Sequence, residues 1–377
     1  MTGFEYYLQL FDRLVDHSEC STYRMALEQV LGFPLDGAIF STSEHIAPFN
    51  SATTVSFILP QLALQATGLR RTSVIVILGC AMIPLDNADY PRGFVLPNSF
   101  SISNRMNLFS NRDRKTCPIL RTPAQRPDCQ VGTAFFGRYP WLCDPFDGSV
   151  RFTTYARQMS RCMELIASRW MPTDVSVPVR VLPLEDVAGQ VIVRLLEEND
   201  SWLNKMLFQA EYRTTISRRL HGVFCAWGDR QGSFLFWGTS NGRALRLRED
   251  GDALVGDGFR IRLNRESIHQ ALLEGVILPG VFLALMAVSY LPNIPVAGGP
   301  KQLHYFEDMV AAANQIGGIA RSLSLSQFGY NCVSFENISI PKVGTGLALA
   351  DELLPPDILL DELSRSSVLP SVRAAYA

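Results

Sequence analysis

The chain has 377 residues, 47% of them hydrophobic and only 19% charged, so it is long and apolar enough to bury a sizeable core and is not globally disordered. Its 34 basic residues stand against 36 acidic ones, and the net charge of -2 offers no global field for nucleic acid or an anionic membrane, so any anion site must be local. The eight cysteines are scattered, with no Cys-x-x-Cys pair and no histidine at zinc-finger spacing, and read as buried free thiols. The start carries Glu5, Asp12 and Asp16 where an export signal would be basic, which points to a cytoplasmic protein.

Helical spacing of Phe4, Tyr7, Leu8, Phe11 and Leu14, then of the stretch after Ser21, predicts a helical hairpin. A short strand follows at 38–43, then a polar corner at 43–52, and a helix from about Thr54 to Gly68. The β-branched run at 73–80 reads as a strand buried on both faces, which makes 34–80 a β-α-β unit. From Ala81 to about Asp147 the chain is rich in Pro, Asn, Ser and Arg and reads as long connecting structure with strand-like pieces at 93–97 and 106–110.

A helix over 152–170, a strand over 177–183 and a helix opened by Leu184, Glu185 and Asp186 come next, with helical character continuing to about Ala226. Residues 232–263 alternate apolar and polar side chains between Asn-Gly and Asp-Gly turns, the pattern of an antiparallel meander. The most apolar run, Val276 to Pro292, is interrupted by Pro279-Gly280 and lacks a basic stop-transfer cluster, so it reads as a buried core helix and not a membrane span. A Gly-Gly turn into a helix near 298–309 and a loop-like tail from about Cys332 complete the chain. The fold class expected is α/β: a Rossmann-like parallel sheet flanked by helices, with an added helical region and a small antiparallel meander. The expected division is 1–150, 151–230 and 231–377.

No Walker A loop, dinucleotide Gly-x-Gly-x-x-Gly, Gly-x-Ser-x-Gly or His-Glu-x-x-His string is present, so no metal or nicotinamide site is read and the cofactor stays unknown. Four polar elements remain. Glu44, His45 and Asn50 follow a predicted strand, where His45 suits a general base and exposed amides suit an anion, although helix capping explains the same residues. Asp86, Asn87, Tyr90 and Arg92 follow the buried strand, with Arg92 suited to gripping a carboxylate or phosphate at two points; Asx turns are the structural alternative. Arg105, Arg112, Arg114, Lys115, Arg121 and Arg126 form a local concentration of positive charge that either holds an anion or is a solvated loop. Lys301, Gln302, His304 and Tyr305 crowd a helix start after Gly298-Gly299, a placement that suits substrate handling or a plain turn.

The order of these features resembles the bacillithiol-synthesis cysteine-adding enzyme family, most closely from Ile277 to Tyr305, where a Leu-Pro apolar stretch runs into Gly-Gly-Pro and a tyrosine. The family's long coiled coil has no counterpart, because no heptads are sustained, and its own polar corners are replaced by Glu44-His45 with Asn50 and by Asp86 to Asp89. The resemblance implies a Rossmann-like core and a small-molecule biosynthetic enzyme of specialised metabolism that forms a C–N bond, ligase-like or a cyclising transferase or lyase. In that reading His45, His304, Tyr90 and Lys301 are catalytic. Glu44, Asn50, Asp86, Asn87, Arg92, Arg112, Arg114, Gln302 and Tyr305 bind a small anionic, amine-containing substrate. The alternatives are a noncatalytic subunit that binds a protein partner, supported by the leucine-rich acidic tail at 346–363, and a nucleotide-dependent amide ligase.

Overall fold

The computed structural model describes residues 21–42, 45–46, 72–83, 93–95, 105–107, 118–126, 136–137, 139–148, 150–169, 177–198, 201–223, 232–294, 296–298, 300–316 and 328–330. In chain order the elements are α1 (Ser21–Leu31), β1 (Ala38–Ser41), β2 (Val74–Gly79), β3 (Gly93–Val95), β4 (Arg105–Asn107), α2 (Tyr155–Arg169), β5 (Val179–Pro183), α3 (Leu184–Leu195), α4 (Trp202–Phe208) and α5 (Ala210–Leu220). They continue with β6 (Phe236–Ser240), β7 (Arg243–Arg246), β8 (Arg248–Asp250), β9 (Ala253–Gly256), β10 (Phe259–Arg262), α6 (Arg265–Leu273), β11 (Ile277–Pro279), α7 (Val281–Leu285), β12 (Val296–Gly298), α8 (Pro300–Ala313) and β13 (Phe328–Tyr330). The described residues divide into two compact units, one made of those within Asp36–Pro183 together with Gly329 and Tyr330, the other of residues up to Leu35 and Leu184–Phe328. The expected helices at 4–15 and 54–68 and the tail from Cys332 lie outside the described residues.

In the first unit β1, β2 and β5 form a parallel ladder in the order β1-β2-β5, with Ile39 opposite Ile75 and Ile77 opposite Val181. Every residue of β2 is buried, because it has a strand on each side and both of its faces are covered; a continuous Val-Ile-Val-Ile-Leu run suits that position and no exposed one. Helix α2 packs on β5, burying Tyr155, Met159, Cys162, Met163 and Ile166 at helical spacing. The short strands β3 and β4 pair antiparallel, with Phe94 opposite Met106. The architecture is thus mixed α/β, built on a parallel three-stranded sheet.

The second unit joins helices to two small antiparallel sheets, ordered β11-β6-β7 and β10-β9-β8. The β6–β7 hairpin closes on Asn241 and Gly242 with φ of 49° and 72°, the two positive values that a type I′ turn requires. Leu247, between β7 and β8, is fully buried, and its Cδ2 lies 3.0 Å from where a side chain on Gly238 would start. Arg213 of α5 is also buried, and its charge is met by Glu249 at 3.1 Å and the Leu207 carbonyl at 2.8 Å.

One element differs in kind from its expectation. The apolar run from Val276 is not one helix: Ile277–Pro279 is β11, paired with Phe236–Gly238, and α7 is followed by a π-helical turn at Met286–Tyr290. Pro279 ends an edge strand, where its missing N–H costs no ladder bond, and Gly280 then lets the chain pass the Phe234 and Leu235 carbonyls. Among the described residues no helix is long and apolar enough to cross a membrane.

Two glycines of the second unit should respond oppositely to alanine. At Gly280 a Cβ would meet the Phe234 carbonyl oxygen at 2.9 Å, so Gly280→Ala should cost about 1–3 kcal/mol, whereas in α3 a Cβ on Gly189 finds its nearest neighbours at 3.8 Å and should gain about 0.5–1 kcal/mol of helix propensity. Urea unfolding of the two variants measures both, and equal signs would contradict the packing described.

Candidate functional site

The carboxyl edge of β1-β2-β5 is where the first unit gathers its reactive groups. His45 lies beyond β1 as the parallel register partner of Cys80, the residue after β2, and the Ile46 N–H donates to the Cys80 carbonyl at 2.9 Å. Register partners on adjacent strands project from the same face of a sheet, so imidazole and thiol share one face. Their seat depends on Gly79. Ile46 is fully buried against it, with Cδ1 2.6 Å from the position a Cβ would take, and any larger residue would displace Ile46 and the neighbouring His45.

Burial lowers the His45 pKa from its ordinary 6.5, because the surroundings penalise the imidazolium. His45 is accordingly neutral at pH 7, the form that can accept a proton. Cys80 is half-buried and in no disulfide, which corrects the expectation of uniformly buried thiols; Cys143 is also half-buried, and among the described thiols only Cys162 is fully enclosed. Burial drives the Cys162 thiol well up, and burial with the Asp147 and Asp144 charges raises that of Cys143, so neither has thiolate character at neutral pH.

The segment 118–126 is tied to this edge at one end and to α2 at the other. Leu120 N–H donates to the Ala81 carbonyl at 3.3 Å and Ile119 N–H to the Ile83 carbonyl at 2.9 Å, while the Thr122 and Ile119 carbonyls accept from the Tyr155 and Ala156 amides that open α2. Gln158 completes the attachment from within α2. Its side chain is buried, accepts from the Gln125 N–H at 2.9 Å, and donates to the Gln125 carbonyl at 2.8 Å and the Pro145 carbonyl at 2.7 Å. An amide with its donors and acceptor all used inside the protein fixes the position of both loops. Of the expected arginine-rich stretch, this places Arg121, half-buried, one residue from Leu120 and so beside the end of β2; Arg126 is exposed.

The other expected site residues divide by position. Glu44, Asn50, Asp86, Asn87, Tyr90, Arg92, Arg112 and Arg114 lie outside the described residues. Lys301, Gln302, His304 and Tyr305 occupy the start of α8 in the second unit, where Gln302 is half-buried and Tyr305 is buried. Sequence reasoning passed over Cys80 and did not choose Arg121 from its stretch. The signal available for Arg121 was its setting, a single cation in the apolar context Ile119-Leu120-Arg121-Thr122-Pro123. Among the described residues no cluster of His, Cys, Asp and Glu is arranged to hold a metal ion. No family model matches this chain, and no curated protein sequence matches it either.

The His45 environment has a measurable consequence. The unfolded chain binds the imidazole proton more readily than the native one, so this histidine's contribution to stability is fully present above pH 6.5 and is lost as pH falls below it. NMR of histidine-labelled protein should show His45 titrating below 6.5, and His45→Gln should lessen the loss of stability between pH 7.5 and pH 5; a His45 that titrates at or above 6.5 would contradict the assignment.

Proposed function

We propose that this chain is a small-molecule biosynthetic enzyme that forms a C–N bond on an anionic, amine-containing substrate at the carboxyl edge of a Rossmann-like core. One observation carries the reading: a neutral, partly buried imidazole, His45, stands beside Cys80 at the carboxyl ends of two adjacent parallel strands. Parallel α/β sheets present ligand sites at that edge, and neutral histidine there suits general-base work. The family resemblance supports the same class of chemistry. Cys80, Cys143 and Cys162 are in no disulfide, which suits the reducing cytoplasm.

In this reading the substrate amine attacks an electrophilic carbon, the bond to an anionic leaving group breaks with its electron pair, and His45 takes the proton that the new C–N bond displaces. Glu44, Asn50, Asp86, Asn87 and Tyr90 position the substrate, and Arg92, Arg112 and Arg114 hold its anionic group. A partner-binding subunit is the less favoured reading. Among the described residues the large exposed apolar side chains are Met25, Val150 and Leu273, each on a different stretch of chain.

The test is incubation of the purified chain with pairs of amino acids, amino sugars and acylated or phosphorylated carboxylates, with mass spectrometry for the condensed product. Removal of a general base costs about 10²–10⁴-fold in rate, so His45→Gln should lose at least that lower factor while remaining folded. Product formation at the parent rate by His45→Gln would overturn the assignment of His45.

A further inference from the structure

We propose that Arg121 is the anchor of an oxyanion site, for a phosphoryl or carboxylate group, at the junction of the β2 carboxyl edge and the start of α2. The inference deepens the reading above, which needs an anionic substrate, and it rests on separate observations. The Arg121 Nε is buried, and among the described residues it has no hydrogen-bond partner and no carboxylate forms an ion pair with this guanidinium. Arginine stays charged at all physiological pH values, so it cannot escape burial by losing a proton, and an unanswered donor on it is unfavourable.

Its place makes the need for an anion greater. The segment that carries Arg121 caps α2 through the Thr122 and Ile119 carbonyls, which seats the residue at the helix end where the macrodipole is positive. The first turn of this 15-residue helix contains no acidic residue to offset that field. Arg126 on the same segment adds positive charge. The segment that carries the cation is therefore held in place by the Leu120–Ala81 bond and the Gln158 network, and no described residue pairs with that cation as a counter-charge. An oxyanion bound side-on would accept from Nε and a terminal nitrogen together, the two-point geometry that guanidinium offers and ammonium does not.

Arg213 is the internal contrast. That residue is more deeply buried than Arg121, and its Nε donates to Glu249 at 3.1 Å and a terminal nitrogen to the Leu207 carbonyl at 2.8 Å, as expected for an arginine whose role is structural.

The experiment is calorimetric and thermal titration of the full chain with sodium phosphate and with sodium acetate, at constant ionic strength set by sodium chloride. The melting temperature should rise with one of the two anions and saturate, which also tells phosphoryl from carboxylate recognition. Arg121→Lys, which keeps the charge and loses Nε, should bind that anion at least tenfold more weakly. Arg121→Met should fold without the anion and show no response. The proposal is overturned if Arg121→Met responds like the parent, or if neither anion acts beyond the sodium chloride control. His45→Gln separates this site from the catalytic reading: anion binding that survives in that variant, with turnover unchanged, would remove the assigned base and leave the Arg121 site standing.

Discussion

The burial of β2 on both faces constrains everything else in the first unit. With β1 on one side, β5 on the other and no exposed residue from Val74 to Gly79, its side chains have no access to solvent along its length. Just past its end Cys80 and Met82 are partly exposed, while Ala81 and Ile83 remain buried. Burying a six-residue aliphatic strand stabilises the sheet by about 1.5–3 kcal/mol for each large side chain, and the same burial leaves the edge as the place for polar chemistry.

That edge is assembled from three distant parts of the chain, each placed by a bond that can be named. The Ile46 amide holds His45 next to Cys80, the Leu120 and Ile119 amides hold the Arg121 segment to residues 81–83, and Gln158 holds the far side of that segment to α2. The arrangement puts a base that burial keeps neutral, a half-buried thiol and a guanidinium whose buried Nε has no partner among the described residues on connected backbone. Neutral imidazole with a fixed cation is a pairing suited to deprotonating a nucleophile on a substrate whose anionic end is held.

Local patterns carried much of the architecture in advance. The β-branched run of β2 specified a doubly buried strand, the Asn241-Gly242 and Asp-Gly turns specified antiparallel hairpins, and the acidic start of α3 placed its first turn. Nonlocal pairing escaped. Ile277–Pro279 looks helical within its own apolar run because its partner, Phe236–Gly238, lies about forty residues earlier. For the same reason His45 could be chosen from its polar corner, while Cys80 could not: its significance comes from a register partner in another strand. That Arg121 has a buried nitrogen depends likewise on where residues 81–83 and α2 draw the loop, and nothing in the spacing of the arginines encodes that.

Hydrogen exchange of the full chain, with and without a saturating oxyanion, tests most directly whether the carboxyl edge of β1-β2-β5 is the ligand-binding end. The account expects slower exchange in residues 79–83, 118–126 and the first turn of α2, with the β6–β10 sheets unchanged. Protection confined to the second unit, with those three segments unaltered, would contradict it.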